Sequence, residues 1–287
     1  PLKSLVTNFK EWGCEENGWS DWFEVEGGGV HISKTKNSNR VKIRDYEINA
    51  GLQRSFCKIF TVGIAGSYEH NHLKYKDGGH EKSNIYLAGL YALYRPSLFY
   101  GLAEFSYGYS SNSLHRSIDF GTVHDEAKSE PKLNQYGFYG EIGFDFPFCD
   151  FLLQPFVGIE TERFCRHHVR EKDHWGLALD IHEKEWSTTK SRLGLHFSNC
   201  CGNSEFVLDI AWNRLLSYPQ NTIKGRFIDF GKTFTIKGIP LEENSLDYAL
   251  TLSSEVDKSL DFYLELSGEV WKRASSFNIV GGIQFEW

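Results

Sequence analysis

Hydrophobic and polar residues alternate along most of this chain with a period of two, the spacing that puts successive side chains on opposite faces of a β-strand. The stretch 135–148 is the clearest case. Tyr136, Phe138, Ile142, Phe144, Phe146 and Phe148 share one face with Gly140, while Gln135, Gly137, Tyr139, Glu141, Gly143 and Asp145 share the other. An amphipathic helix would space its apolar residues three or four apart. The same alternation sets Phe60, Val62, Ile64 and Tyr68 against Thr61, Gly63, Ala65 and Ser67, and Phe206, Leu208, Ile210 and Trp212 against Val207, Asp209, Ala211 and Asn213. Each apolar face covers roughly nine residues, the length a tilted strand needs to cross the hydrocarbon of a bilayer. Strands of a soluble sandwich are usually about five or six residues long.

Twelve such segments are predicted: Asp21–Ser33, Val41–Arg54, Ile59–Tyr75, Asn84–Tyr94, Leu98–Ile118, Asn134–Phe148, Phe151–Val169, Trp186–Ser198, Ser204–Tyr218, Asn244–Val256, Leu260–Arg273 and Ser276–Trp287. An even number suits a single-chain antiparallel membrane barrel. In the first segment Gly27, Gly28 and Gly29 interrupt the alternation and predict a bulge. In the fourth, apolar residues occupy both faces, and Tyr86, Leu90 and Tyr94 are assigned outward.

Connection lengths alternate as well. Short links at 55–58, 95–97, 149–150, 199–203 and 257–259 interleave with mostly longer, charged ones at 34–40, 76–83, 119–133, 170–185 and 219–243, and only Ala274-Ser275 breaks the pattern. Bacterial outer-membrane barrels have short periplasmic turns and longer external loops, so both barrel ends are expected in the periplasm. Ahead of the first strand, Leu2, Leu5, Phe9 and Trp12 recur at helical spacing, with Pro1 suited to a helix start and Gly13 to a stop.

Composition sharpens this picture. No apolar run approaches the ~20 residues of a spanning helix, yet aromatic residues make up 15% of the chain, as lipid-facing strands require. A net charge of −7 and the lack of a basic stripe argue against nucleic acid as a partner. The chain starts at Pro1 without an apolar leader and contains no Met, which reads as a processed product or an excised domain. Six cysteines are too few for a disulfide-held scaffold, and adjacent Cys200 and Cys201 fit no common zinc spacing.

Catalytic and metal chemistry find little support. His115 lies near Ser110 and Ser113, but a nucleophile and base need hydrogen-bond reach, which proximity in sequence does not supply. His70 and His72 point the same way on a strand, and Cys165, His167, His168 and His174 crowd one external segment, yet none has a fixed ligand spacing. No catalytic residue, metal or cofactor is assigned, and the chain is not expected to be an enzyme.

The chain ends Gly282-Ile283-Gln284-Phe285-Glu286-Trp287. A terminal aromatic, an apolar residue two before it and a glycine five before it resemble the signal that outer-membrane barrels present to their assembly machinery, although Val280 departs from the usual polar residue. Leu87-Ala88-Gly89-Leu90-Tyr91-Ala92, Phe105-Ser106-Tyr107-Gly108-Tyr109, Gly140-Glu141-Ile142-Gly143, Leu153-Gln154-Pro155-Phe156-Val157-Gly158 and Arg192-Leu193-Gly194-Leu195 follow in the order of similar segments in the autotransporter β-domain. Over nearly its whole length the chain resembles that family, the translocator of type V secretion. Its Cys-bearing turns and its size further resemble the chlamydial polymorphic outer-membrane proteins.

The resemblance implies an all-β fold: a twelve-stranded antiparallel transmembrane barrel in the bacterial outer membrane, residues 21–287, with a short helix or linker, residues 1–20, in its lumen. It implies that the barrel anchors and exports an N-terminal passenger, with the lipid bilayer, the assembly machinery and that passenger as partners. A porin or receptor-like channel, and after it a barrel hydrolase, stand as alternatives. A lumen that accepts a helix about 10 Å wide favours small and polar inward residues. Gly51, Gly63, Gly137, Gly143, Gly158, Gly194 and Gly282 would give space, or merely permit strand curvature. Glu47, Glu104, Glu141, Glu160, Lys190, Arg192, Asp209 and Glu265 would give polarity. The topology puts Cys57, Cys149, Cys200 and Cys201 in periplasmic turns, with Cys14 near the same rim, as candidates for disulfides to other envelope proteins.

Overall fold

The structure, a computed structural model, describes residues 17–34, 40–57, 59–76, 78–148, 151–217, 222–238, 242–257 and 259–287. Among them are eighteen strands and no helix: β1 (Asn17–Ile32), β2 (Val41–Phe56), β3 (Phe60–Tyr75), β4 (His80–Tyr94), β5 (Phe99–Phe120), β6 (Val123–Ser129), β7 (Lys132–Phe144), β8 (Phe146–Pro147), β9 (Phe151–Arg166), β10 (Val169–Arg170), β11 (Leu179–Ile181), β12 (Lys184–Cys201), β13 (Ser204–Ser217), β14 (Thr222–Phe227), β15 (Thr233–Lys237), β16 (Asn244–Asp257), β17 (Leu260–Trp271) and β18 (Ala274–Glu286). Twelve of these close a ring. The antiparallel path β1-β2-β3-β4-β5-β7-β9-β12-β13-β16-β17-β18 returns from β18 to β1. Closure pairs the backbone of every wall strand on both sides, which hydrocarbon demands because it offers no water to an unpaired N–H or C=O.

The expected strands all form, with shifted ends. β4 starts four residues before Asn84 because His80 to Ser83 pair with Lys74 to Asn71 on one side and with His115 to Asn112 on the other. β1 starts at Asn17 rather than Asp21, opposite Phe56. The expected bulge at Gly27–Gly29 does not form: β1 runs in unbroken register past Tyr46 to Arg44 and past Ile279 to Phe277. Gly28 and Gly29 serve close approach instead. A Cβ at Gly28 would lie 2.8 Å from the Phe277 carbonyl oxygen and 2.9 Å from the Asp45 carboxylate. The link 199–203 also shortens, since β12 runs through Cys200 and Cys201 and turns at Gly202-Asn203.

The outer wall carries the apolar faces. Phe60, Ile64 and Tyr68 are exposed on β3, and Tyr86, Leu90 and Tyr94 on β4, beside buried Leu87, Tyr91 and Leu93 on the opposite face. Phe56 and Phe60, Tyr94 and Phe99, and Phe148 and Phe151 pair their rings near the tight turns. Tyr68 and Tyr86, and Tyr107 and Tyr136, pair theirs toward the long connections. Two aromatic belts thus flank an apolar band, the arrangement that seats a barrel between two membrane interfaces. From Phe60 to Tyr68 is about 26 Å along the strand.

Inside, the half nearest the tight turns is lined by rings that lie against the wall. Trp22 lies over Gly51, Tyr91 over Gly63, Tyr100 over Gly143, Phe156 over Gly194 and Tyr263 over Gly282, so that a Cβ at any of these five glycines would run into the ring. In every case ring and glycine are direct cross-strand partners. The room directly over these five glycines is taken by the rings, which lie flat along the wall. Gly158, by contrast, meets only ordinary and slightly tight neighbours from 3.2 Å. Leu93, Tyr100, Leu102, Tyr139, Phe156 and Ala211 form one buried cluster and Trp22, Ala65 and Tyr91 another.

Candidate functional site

The lumen beyond these rings is polar. Glu47, Glu104, Glu141, Glu160, Arg192, Asp209 and Glu265 are buried and Lys190 is half-buried. Most of them line a cavity of about 420 Å³, which Glu26, Asp45, Glu69, Glu162 and Glu269 also face. Among the residues lining it, carboxylates outnumber the cations Lys190 and Arg192, so the bore is acidic. Period-two alternation places each of them, since a wall with lipid on one side leaves only the other for a charge.

Hydrogen bonds hold these groups in place. Ser67 donates to Glu47 at 2.7 Å, Thr251 to Glu265 at 3.2 Å and Arg192 to Asp247 at 2.7 Å. His196 bridges Asp209 and Glu141, stacks on Phe156 at 4.2 Å between ring centroids, and shares Glu141 with the hydroxyls of Tyr100 and Tyr139. Lower down, Tyr263 donates to Glu24, while Arg95 and Gln154 donate to Asp145 at 2.9 and 2.7 Å. Sequence reasoning missed Glu24, Glu26 and Asn49. Their signal was present: Trp22, Glu24 and Glu26 continue one alternating face of β1, and Asn49 lies between the inward-assigned Glu47 and Gly51 on β2.

At the seam of the ring, Phe285 and Trp287 are exposed, and Gly282 lies under the Tyr263 ring. Trp287 stacks on Trp19 at 6.2 Å, exchanges backbone hydrogen bonds with it, and donates from its indole to Asp21 at 2.8 Å. Ile283 pairs with Phe23 and Phe262. The segment with Leu2, Leu5, Phe9, Trp12 and Cys14 lies outside the described residues, as does Cys149. Cys57 is exposed in a left-handed turn conformation (φ 53°).

The long-loop rim holds structure that alternation did not predict. β6 folds back on β5, and β10, β11, β14 and β15 form a separate four-stranded sheet from the connections 167–183 and 218–243. Arg116 on β5 anchors this crown by donating twice to Glu171, at 3.1 and 2.6 Å. Below it, Phe164, Trp186, Leu215 and Trp271 line a second cavity of about 370 Å³. The suspected catalytic and metal groups do not converge here. Ser110 is buried on the inner face and bonded to Asn112, whereas His115 on the other face bonds Glu126. His70 bonds Asn84, His167 bonds Asn134, His168 bonds Asp180 and His174 bonds Asp125.

A closed ring of twelve strands with a polar bore and a lipid-facing wall has relatives. The family model of the autotransporter β-domain matches residues 22–267. The chain belongs to this family. Its fold is similar to the translocator domain of the autotransporter NalP from Neisseria meningitidis, with a TM-score of 0.80 at 16% identity over 100% of this chain and 93% of that one. It is also similar to the β-domain of the Bordetella autotransporter BrkA, with a TM-score of 0.68 at 15% identity over 95% of this chain and 100% of that one. The transport unit of AIDA-I from Escherichia coli follows, with a TM-score of 0.60 at 11% identity over 93% and 90% of the two chains. No curated protein matches by sequence. This autotransporter β-domain is an integral outer-membrane translocator barrel.

Proposed function

We propose that this barrel carries an N-terminal passenger through its lumen to the cell surface, with the segment ahead of β1 as the linker. One observation supports this reading above the others. β1 begins at Asn17 beside Phe56, at the tight-turn rim, so a chain that precedes it and ends outside has the polar bore as its path. A reporter fused ahead of Pro1 behind a secretory signal should become protease-accessible on intact cells. A reporter held in the periplasm by a folded barrel would overturn the proposal in favour of a channel. Leu2, Leu5, Phe9 and Trp12 are the helix of this linker, and its removal should raise single-channel conductance. Equal conductance would put it outside the pore.

Gly282, Ile283, Phe285 and Trp287 form the assembly signal in this proposal, supported by the exposure of Phe285 and Trp287 on the last strand. Deletion of Trp287 should lower the yield of heat-modifiable barrel in membranes, and an unchanged yield would refute the assignment. Cys14, Cys57, Cys149, Cys200 and Cys201 are its disulfide links to other envelope proteins, and this cysteine pattern aligns the chain with the chlamydial polymorphic outer-membrane proteins. Support comes from exposed Cys57 and from Cys200 and Cys201 beside the tight turn at Gly202. Thiol-trapped membranes should show high-mass species that collapse on reduction, and a monomer on non-reducing gels would exclude the links.

A further inference from the structure

β5 is the longest strand, with 22 residues, and its outer end stands beyond the tyrosine belt. Six residues past Tyr109 comes His115, opposite His80 of β4 in direct register. On the other side β6 pairs Ser117 with Glu126, which puts Glu126 diagonal to His115 on the same face. Three strands thus bring two imidazoles and one carboxylate together outside the membrane. The rings of His80 and His115 stack at 4.4 Å, and His115 Nδ1 lies 2.9 Å from Glu126 Oε1. One donor atom from each of the three lies within 4.8 Å of the other two.

We propose that His80, His115 and Glu126 bind a divalent transition-metal ion of the Zn²⁺ class. Two imidazole nitrogens and a carboxylate oxygen are the donor set such an ion takes, at about 2.0–2.2 Å each, with water in the open position. Donors around one tetrahedral ion stand about 3.3 Å apart, so small side-chain rotations from the present spacing close the site. On binding, the ion takes the place of the hydrogen between His115 Nδ1 and Glu126 Oε1; that proton passes through water to Nε2, or to bulk solvent if the ring starts as imidazolium, so that His115 coordinates as its neutral Nε2–H tautomer. All three side chains are half-buried to exposed, so the ion has an open approach. His72 of β3 stands next to His80, with ring centroids 6.4 Å apart. The ion would staple β4 across β5 to β6, which among the wall strands pairs with β5 alone.

Calorimetric titration of Zn²⁺ into the folded, detergent-solubilised chain should show one site. His80→Ala, His115→Ala and Glu126→Gln should each weaken it by more than about tenfold, the least expected for a ligand when outer-shell partners already cost 10–100-fold. His168→Ala, at the same rim but in the link between β9 and β10, should leave it unchanged. Heat-modifiable migration verifies that each variant is folded. Independently of any variant, saturating Zn²⁺ should slow amide exchange in 123–129 of the unaltered chain relative to chelator-treated protein. No site in the unaltered chain, equal affinity in the three ligand variants, or unchanged exchange in 123–129 would each overturn the proposal.

Discussion

Toward the tight-turn rim, Trp22, Tyr91, Tyr100, Phe156 and Tyr263 line the bore, each lying over the glycine opposite it. Beyond the tyrosine belt, the crown is held instead by charge: Arg116 on Glu171, and Arg226 and His168 on Asp180. Both regions are antiparallel β-structure with continuous backbone ladders. They differ in what their surroundings permit. A wall that faces lipid on one side must gain its specificity from the other, and a large ring over a missing Cβ is a shape that only one register satisfies. In the crown water reaches most groups, where an exposed ion pair contributes about 0–1 kcal/mol. Glu171 is the exception there, with a side chain only 1% exposed.

The comparison breaks most sharply at one ring and one glycine. Tyr91→Ala removes the ring over Gly63 together with its hydrogen bonds to Trp22 and Gln53, and should cost about 3–5 kcal/mol of barrel stability. Gly63→Ala, which drives a methyl into that ring, should cost about 1–3 kcal/mol. The two losses should not add, since without the ring the methyl meets open space. Urea titration of the heat-modifiable band on gels measures all three variants, and strict additivity would mean that ring and glycine do not form a joint.

A smaller effect, confined to the crown, follows from Arg116→Ala. Glu171 would keep its bond from the Leu179 amide at 2.9 Å but lose its charged partner, a local loss of about 1–2 kcal/mol. Proteolysis should speed up between β10 and β11 while the barrel band stays heat-modifiable. Barrel unfolding in this variant would show that crown and wall are one cooperative unit.

The least effect is expected from acid. Arg226, and after it His168, hold the Asp180 carboxyl below the usual range. A depressed carboxylate stabilises the folded crown above its unfolded value of about 3.9 and gives that up as pH falls through the lower folded value. Amide exchange in β11 and β14 should therefore rise, relative to the barrel strands, as the pH drops below about 4. In Asp180→Asn the rise should be absent, and an identical pH profile would remove Asp180 as its cause.

Much of the wall was legible in the residues. Alternation in 135–148 separates exposed Tyr136, Ile142 and Phe144 from buried Tyr139, Glu141 and Asp145, since a strand has two faces and a membrane accepts only one kind of side chain on its own. The site at His80, His115 and Glu126 was not legible. Attention fell on His70 and His72, neighbours in sequence, whereas the converging groups come from three strands and meet only through register.

Local chemistry by itself determined the twelve strands, their inward charges and the alternation of short and long connections, because each depends on residues close together in the chain and on one boundary condition, lipid outside. Only the tertiary structure decided what lay across strands. Register put Tyr91 over Gly63 rather than beside it, carried β1 straight through Gly27–Gly29, and turned charged connections into a crown. A one-residue slip would exchange every inward and outward side chain, so these pairings are properties of the closed ring, in which each strand's register is set by both neighbours at once.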